Sequence, residues 1–390
     1  MNRFTRLENL PVARSLRPVA PNTVRIAKLQ LQNFKNYREA ELIFSKNVIG
    51  LFGKNGSGKT NILDAIHYLS FTKSVLNNQD AQNVLHGENF FTLEGVFEHE
   101  GKQHVIRCTY DGKKKRLSED GSEYGRFSEH VGKYPVVIIS PQDINLIWEG
   151  GEGRRRFFDQ WLSQSNRHYL ENLVLYNQLL KQRTSLLKQT QQGGGLDEVL
   201  LDSYHQQMIP AATQLHQTRK KFIDEINPAL ADEYAALVKA KEQVRVVHTS
   251  DLDNASAEAV LMKNLSQEIA AGRTLGGVHL DEYQFLLHDF EVRKFGSQGQ
   301  QKSFLIGLKW VEIRYSSQKK GFSPIVLLDD IFDKMDDERI ARLMTMIGSA
   351  PDAQFFITDA NPSRAKEIFK SANLDFQSFN IESGMVIDNQ

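Results

Sequence analysis

The stretch Gly53-Lys54-Asn55-Gly56-Ser57-Gly58-Lys59-Thr60 limits what this chain can fold into more than any other. Before it, Asn47 to Phe52 holds a short apolar run of the kind a buried strand has. After it, Ile62, Leu63, Ile66 and Leu69 recur at helical spacing. Strand, glycine loop and helix in that order form the context in which G-x-x-x-x-G-K-[ST] cradles nucleotide phosphates. The backbone N–H groups of Gly53 to Gly58 then face the phosphates at the positive end of the helix dipole. Lys59 neutralises the β and γ oxygens, and the Thr60 hydroxyl holds Mg²⁺. A glycine-rich hairpin with a coincidental Lys-Thr is the competing reading, and the flanking strand and helix weigh against it.

Composition adds limits rather than identity. At 390 residues the chain is long enough for two or more domains with a large core. Its 48 basic and 48 acidic residues cancel, so any polyanion site is a local patch rather than a global field. The single cysteine, Cys108, lies in an alternating apolar stretch with no second thiol, and reads as a core residue in a reducing cytoplasm. No run approaches the roughly 20 apolar residues of a membrane helix. Residues 1–23 carry Arg3, Arg6, Arg14 and Arg17 among prolines and read as a flexible extension.

From Val24 the sequence alternates apolar and polar, as a half-buried strand does, and a second strand begins at Ala40. Phe90 to Glu98 and Gln103 to Tyr110 read as a hairpin, followed by the basic run Lys113-Lys114-Lys115-Arg116 and an apolar strand from Pro135 to Ile139. At Glu152 long helical patterns begin. Tyr169, Leu173, Tyr176, Leu180 and Leu187 make one seam; Leu201, Tyr204, Met208, Ala211, Leu215 and Phe222 make another beyond Gly193-Gly194-Gly195. This is an antiparallel helical hairpin with arms of roughly 30 to 38 residues, about 50 Å long, or else an ordinary helical bundle. Pro210 should kink the second arm, and residues 228–271 read as further helices. The division expected is 24–151 and 272–390 for one head, with 152–271 as an inserted helical lobe.

In the C-terminal part, Ser297-Gln298-Gly299-Gln300-Gln301 opens a helix, and the apolar run that starts at Pro324 ends in Asp329-Asp330. A buried strand that projects carboxylates from its end is the partner a phosphate loop needs. Asp329 would hold Mg²⁺ and Asp330 would orient or deprotonate the attacking water. The serine turn resembles the signature motif of ABC-type ATPases, which closes over the γ-phosphate held by an opposite subunit; its serine hydroxyl, glycine amide and helix N-terminus make an anion site. The fold expected is therefore α/β, an ABC-type P-loop head built from both ends of the chain, with the helical lobe between.

Together with Leu31-Gln32-Asn33-Phe34-Lys35-Asn36-Tyr37-Arg38, Ser140-Pro141-Gln142-Asp143-Ile144, Gly153-Arg154-Arg155-Arg156-Phe157-Phe158-Asp159 and Leu327-Leu328-Asp329-Asp330-Ile331, these motifs resemble the RecF family of bacterial gap-repair ATPases, relatives of the SMC proteins. The likeness runs from about Val24 to the C-terminus. It implies a slow DNA-dependent ATPase that binds ATP and Mg²⁺, dimerises on ATP, and binds double-stranded DNA near gaps. It also implies RecR and RecO as partners, RecA loading as the outcome, and a cytoplasmic location without membrane contact. Gln142 falls where a Q-loop residue sensing Mg²⁺ and water would lie, or is a plain turn residue.

Some positions depart from the family pattern. Val278 and Leu280 replace a usual Pro and Arg, Asp333-Lys334-Met335-Asp336 lacks the usual Ser-Glu-Leu-Asp, and Thr358-Asp359 stands where many ABC ATPases have histidine. Asp330 is one methylene shorter than the usual glutamate, which fits slow hydrolysis. Arg154, Arg155 and Arg156 could meet nucleotide or DNA phosphate, or form internal pairs. Lys113, Lys114, Lys115 and Arg116 make a phosphate-binding or merely solvated hairpin tip, and His279 reads as a hydrogen-bonded structural residue. An SMC-like DNA organiser and a transport ATPase subunit are the alternatives from other functional classes.

Overall fold

The computed structural model describes residues 23–77, 79–238, 242–332 and 337–389. The N-terminal extension, Thr23 apart, and the Asp333 to Asp336 segment lie outside them.

Strands from both ends of the chain share one sheet. Its order is Met385–Asn389, Phe376–Glu382, Val48–Phe52, Phe355–Asp359, Ile325–Leu328, Val136–Ile139. Val48–Phe52 runs parallel between Phe355–Asp359 and Phe376–Glu382, from the other end of the sequence. Val48–Phe52, Ile325–Leu328 and Phe355–Asp359 are buried at every position. That two-sided burial is why they read as continuous apolar runs rather than alternations.

A second sheet, Tyr37–Ile43, Val24–Phe34, Phe91–His99, Lys102–Tyr110, Lys115–Glu119, Ser122–Glu123, is antiparallel throughout. The helix Lys59–Phe71 shares a core with both sheets, through Ile62, Leu63, Ile66 and Leu69 on its side and residues such as Ile26, Leu29, Phe91 and Phe356 on theirs. Cys108 is buried in this core, which pushes its thiol up to about 12.

The helical lobe begins at Gly151–Ser165. Asn166 then breaks the chain and caps the next helix, its side chain accepting from the Tyr169 N–H, so the first arm is Arg167–Gln191, 25 residues. The second arm, Glu198–Val238, is one helix of 41 residues that runs through both Pro210 and Pro228; at 1.5 Å per residue it is about 60 Å long. The arms therefore differ in length more than the seams imply.

Residues 228–271 are not all helical. Pro228 continues the second arm, Val244–Thr249 is a strand, and two short helices, Ala257–Met262 and Leu265–Ala271, follow. Val244–Thr249 pairs antiparallel with Glu282–Leu287. Its two inward valines, Val244 and Val246, join Phe158, Trp161, Phe222, Tyr283 and Phe285 in the lobe's core. The helix Gln298–Lys320 belongs to both bodies: Phe304 and Leu308 pack in the lobe, Trp310 and Ile313 against the parallel sheet.

Candidate nucleotide site

The phosphate loop leaves the end of Val48–Phe52 and turns on glycines that a side chain could not replace. Gly53 has φ 157° and a Cβ there would fall 2.1 Å from the Ile381 carbonyl oxygen; Gly58 has φ 118° and would place one 2.7 Å from the Tyr37 hydroxyl. Gly56, at φ 80°, faces open space, so its need for glycine is conformational alone.

The loop is braced from outside. Asn36 Nδ2 donates to the Ser57 carbonyl (3.0 Å), the Tyr37 hydroxyl to the Gly58 carbonyl (3.1 Å), and the Gly384 N–H to the Ser57 carbonyl (2.8 Å). Asn61 Nδ2 holds Asn36 Oδ1 at 2.7 Å. The Gly53 N–H donates to the Asp359 carbonyl (3.3 Å) and the Ser57 N–H to the Lys54 carbonyl (3.1 Å), so the loop's other N–H groups are the ones that could meet an anion. Lys59 is buried and curls back over the loop, donating to the carbonyls of Gly53 (2.7 Å) and Lys54 (3.1 Å).

Asp329 and Thr60 come together as the sequence predicts. The Thr60 hydroxyl lies 2.9 and 3.0 Å from the two carboxylate oxygens of Asp329, across 269 residues of sequence. The register fixes this meeting. Ile325–Leu328 and Val48–Phe52 both pair parallel with Phe355–Asp359, so both end at the same edge of the sheet. Burial raises the Asp329 carboxyl above the usual carboxylate range; hydroxyl contacts from Thr358 and Thr60 oppose this, and neighbouring Asp330 adds to it. A threonine hydroxyl beside a carboxylate with a raised proton affinity is a hard-oxygen donor set suited to Mg²⁺. Among the described residues no group of three or more His, Cys, Asp or Glu could hold a metal, so Thr60, Asp329 and the phosphates would supply the protein and substrate ligands.

Asp330 sits in the left-handed region, φ 43°, its N–H donating to Thr358 Oγ1 at 2.8 Å. The same Oγ1 donates to Asp329 Oδ1 at 2.8 Å. Thr358 therefore ties both acidic residues to the neighbouring strand. Asp359, where a histidine is usual, caps its own turn through the Asn361 N–H, and burial raises its carboxyl as well.

The other predicted residues stand on separate turns. Gln142 is exposed, in a turn where Ser140 and Asp143 cap each other reciprocally; the strand leading to it, Val136–Ile139, runs parallel to the acidic strand. Ser297 caps Gln298–Lys320, its hydroxyl accepting from the Gln300 N–H while the Gln300 side chain accepts from the Ser297 N–H. Ser297 and Gln298 are exposed. A Cβ on Gly299 would come within 2.9 Å of the Arg339 guanidinium. Gln300 Nε2 reaches Glu242 at 2.9 Å, so this turn rests on the helical lobe.

The three arginines take three roles. Arg154 donates to the carbonyls of Leu146, Ile147 and Tyr283, each at 2.8 Å, and its guanidinium stacks 4.8 Å from the centre of the Phe285 ring. Arg155 donates to the Asp281 carbonyl at 2.6 Å. Arg156 is 65% exposed and pairs with Glu152 at 2.8 Å. In the basic hairpin Lys113 and Lys114 are exposed, whereas Lys115 turns inward to the Thr72 carbonyl (2.7 Å) and Asp80 (3.0 Å); Arg116 pairs with Asp111 at 3.2 Å. His279 meets the Tyr176 hydroxyl at 3.0 Å.

Sequence reasoning missed Asn36, Tyr37, Asn61 and Thr358. Asn36 and Tyr37 stood inside a quoted motif, but nothing local tells that a turn 16 residues upstream of the loop folds against it.

The chain as a whole is similar to known proteins. A family model described as an AAA domain matches residues 28–272. The DNA replication and repair protein RecF of Cytophaga hutchinsonii is 38% identical over 361 residues, 93% of this chain and 96% of its own length. That of Flavobacterium johnsoniae is 38% identical over 359 residues, 92% of this chain and all of its own. The chain belongs to the RecF family. A solved structure of the recombination mediator protein RecF with ATP in the RecFOR pathway matches with a TM-score of 0.84 at 23% identity, over 95% of this chain and 100% of that one. The Smc head domain of Pyrococcus furiosus, with an extended coiled coil, matches at 0.54 and 15% identity over 93% and 95%. RecF and SMC heads thus share the fold. Among the described residues no helix is long and apolar enough to cross a membrane.

Proposed function

We propose that this protein is an ATP-dependent DNA-binding protein of recombinational and replication-gap repair. Two copies close head to tail on ATP, each Ser297 turn completing the site on the other's phosphate loop, and the closed pair holds double-stranded DNA near a gap. It works with RecO and RecR to promote RecA loading, in the cytoplasm, and hydrolyses ATP slowly in a DNA-dependent way that times release. The observation that carries the reading is the contact between Thr60 and Asp329, a Mg²⁺-ready pair beside a phosphate loop in a RecF-family chain.

Each residue has a task. The loop N–H groups and Lys59 bind the phosphates, and Lys59 must leave the Gly53 and Lys54 carbonyls to do so. Thr60 and Asp329 would hold Mg²⁺, which offsets charge on the β and γ oxygens when bound. Asp330, held through its N–H by Thr358, orients or deprotonates water. Gln142 would sense the cation and water, and Ser297, Gln298 and Gly299 would bind the partner's γ-phosphate. DNA contacts fall to exposed cations, Arg156, Lys113 and Lys114 foremost.

The test is sedimentation with ATP and Mg²⁺. Wild type should dimerise, and Ser297→Arg should abolish dimerisation while leaving ATP binding by the monomer. A Ser297→Arg protein that dimerises as wild type does would overturn the head-to-tail reading.

A further inference from the structure

Among the described residues three aromatic side chains are exposed, and they stand together. Phe295 is 65% exposed, Phe290 57% and Trp148 53%. The rings of Phe290 and Phe295 lie 5.1 Å apart at 58°. Arg293, on the short helix Val292–Phe295, donates to the Trp148 carbonyl at 3.4 Å, which joins Trp148 to the pair. Rings of this size are normally buried, and their grouping in one exposed place marks a contact surface.

Its position says which contact. Phe295 is two residues before Ser297, so their Cα atoms are no more than about 7.6 Å apart. Trp148 ends the short helix that follows the Gln142 turn. A specific interface covers about 800 Å² on each partner, a patch of roughly 16 Å radius. A second copy with Ser297 near the middle of its footprint therefore covers the Phe295 ring and the Phe290 ring packed on it, with Trp148 adjoining them through Arg293. The charges around them are mixed: Lys294 pairs with Glu291 at 3.2 Å, and Glu149 follows Trp148. An apolar centre with a balanced charged rim is the anatomy of a protein interface; a duplex-binding face would carry an excess of cations.

We infer that Trp148, Phe290 and Phe295 form the anchor on which a second copy of this chain seats when it closes over the Ser297 turn. The inference rests on the head-to-tail reading and adds to it an apolar source of affinity separate from the nucleotide. Exposed aromatics at the centre of an interface are where most binding energy concentrates.

The experiment is a sedimentation titration of the full chain, with ATP and Mg²⁺, comparing wild type, Ser297→Arg and the double variant Phe290→Ala/Phe295→Ala. The double variant should bind ATP as a monomer with wild-type affinity, melt with wild type because both rings face solvent, and dimerise with a Kd raised at least about tenfold. Dimerisation of the double variant at wild-type affinity, with Ser297→Arg monomeric, would overturn the anchor and leave the head-to-tail reading standing. A wild type that stays monomeric in saturating ATP would bring down that reading itself. Loss of duplex binding by the double variant with its dimerisation intact would make the rings a nucleic-acid surface, and so also overturn the anchor.

Discussion

The head's nucleotide site and the helical lobe both bury charge, and they treat it in opposite ways. In the lobe, Arg219 is 2% exposed and donates to Asp281 (2.7 Å), Asp159 (2.8 Å), the Val278 carbonyl (2.6 Å) and the Tyr169 hydroxyl (2.9 Å). Arg183, fully buried, holds Glu268 at 2.6 Å and Thr274 at 2.7 Å. Each cation there meets an anion that packing has fixed. In the head, buried Lys59 lies on the carbonyls of its own loop, and buried Asp329 lies between two hydroxyls and next to another aspartate. The lobe's charges are complete once the chain folds. Those of the nucleotide site are hydrogen-bonded to neutral groups, which a cation and a polyphosphate would replace, although elsewhere the head also buries finished pairs such as Lys35 with Asp64 and Arg25 with Glu98 (3.1 Å).

The strongest way to break this contrast is Arg219→Leu. Removing the cation leaves buried Asp281 and half-buried Asp159 without it, and breaking a buried pair in this manner costs about 3–5 kcal/mol. Thermal or urea unfolding should show that loss with or without ATP, because the damage lies in the lobe. A variant that unfolds with wild type would mean that the lobe's buried charges are as provisional as those of the nucleotide site.

Asp329→Asn should do the reverse. ATP turnover falls at least about a hundredfold, since the group that would hold the cation is lost, while unfolding without ligand is unchanged or slightly harder. The sign follows from the raised carboxyl. Native Asp329 keeps its proton to higher pH than the unfolded chain does, so over that interval the native state binds more protons and stability falls as pH rises. Asparagine removes that part of the slope; Asp359, raised in the same direction, leaves some of it. Unfolding curves from pH 4 to 8 on both proteins would show it. A ligand-free Asp329→Asn protein several kcal/mol weaker than wild type would place Asp329 with the lobe's structural charges.

The same contrast decides what could be read from sequence. Gly53 to Thr60, Asp329 and the head's parallel strands were legible because each is a local pattern whose physics is local: a turn, a dipole, a two-sided burial. The seam Leu201, Tyr204, Met208, Ala211, Leu215, Phe222 was legible for the same reason, and all but the half-buried Tyr204 are buried. Arg183 and Arg219 were not, because an arginine at a core position carries no sign of the carboxylate that will meet it from Glu268 or Asp281. The strand Val244–Thr249 was hidden by the helices around it, since Val244 and Val246 alternate for only two periods and the partner strand begins 33 residues after the first ends. Asn36 and Tyr37 brace the loop through contacts that exist only after two sheets have packed.

Three successive arginines carry the comparison down to single residues, where the expected effects are smallest. Arg154 spends its donors on three carbonyls and Arg155 reaches the Asp281 carbonyl, so both belong with the lobe's internal charges. Arg156, one residue on, points to solvent and holds Glu152 across a single helical turn, a contact worth a few tenths of a kcal/mol. Arg156→Ala should leave unfolding within about 0.5 kcal/mol of wild type. If this cation meets a DNA phosphate, the variant should weaken duplex binding alike for all sequences and reduce the salt dependence by about one counterion. Binding isotherms over a salt series measure that slope directly. An unchanged slope would remove Arg156 from the DNA face and leave the exposed Lys113 and Lys114 as the cations to test in its place.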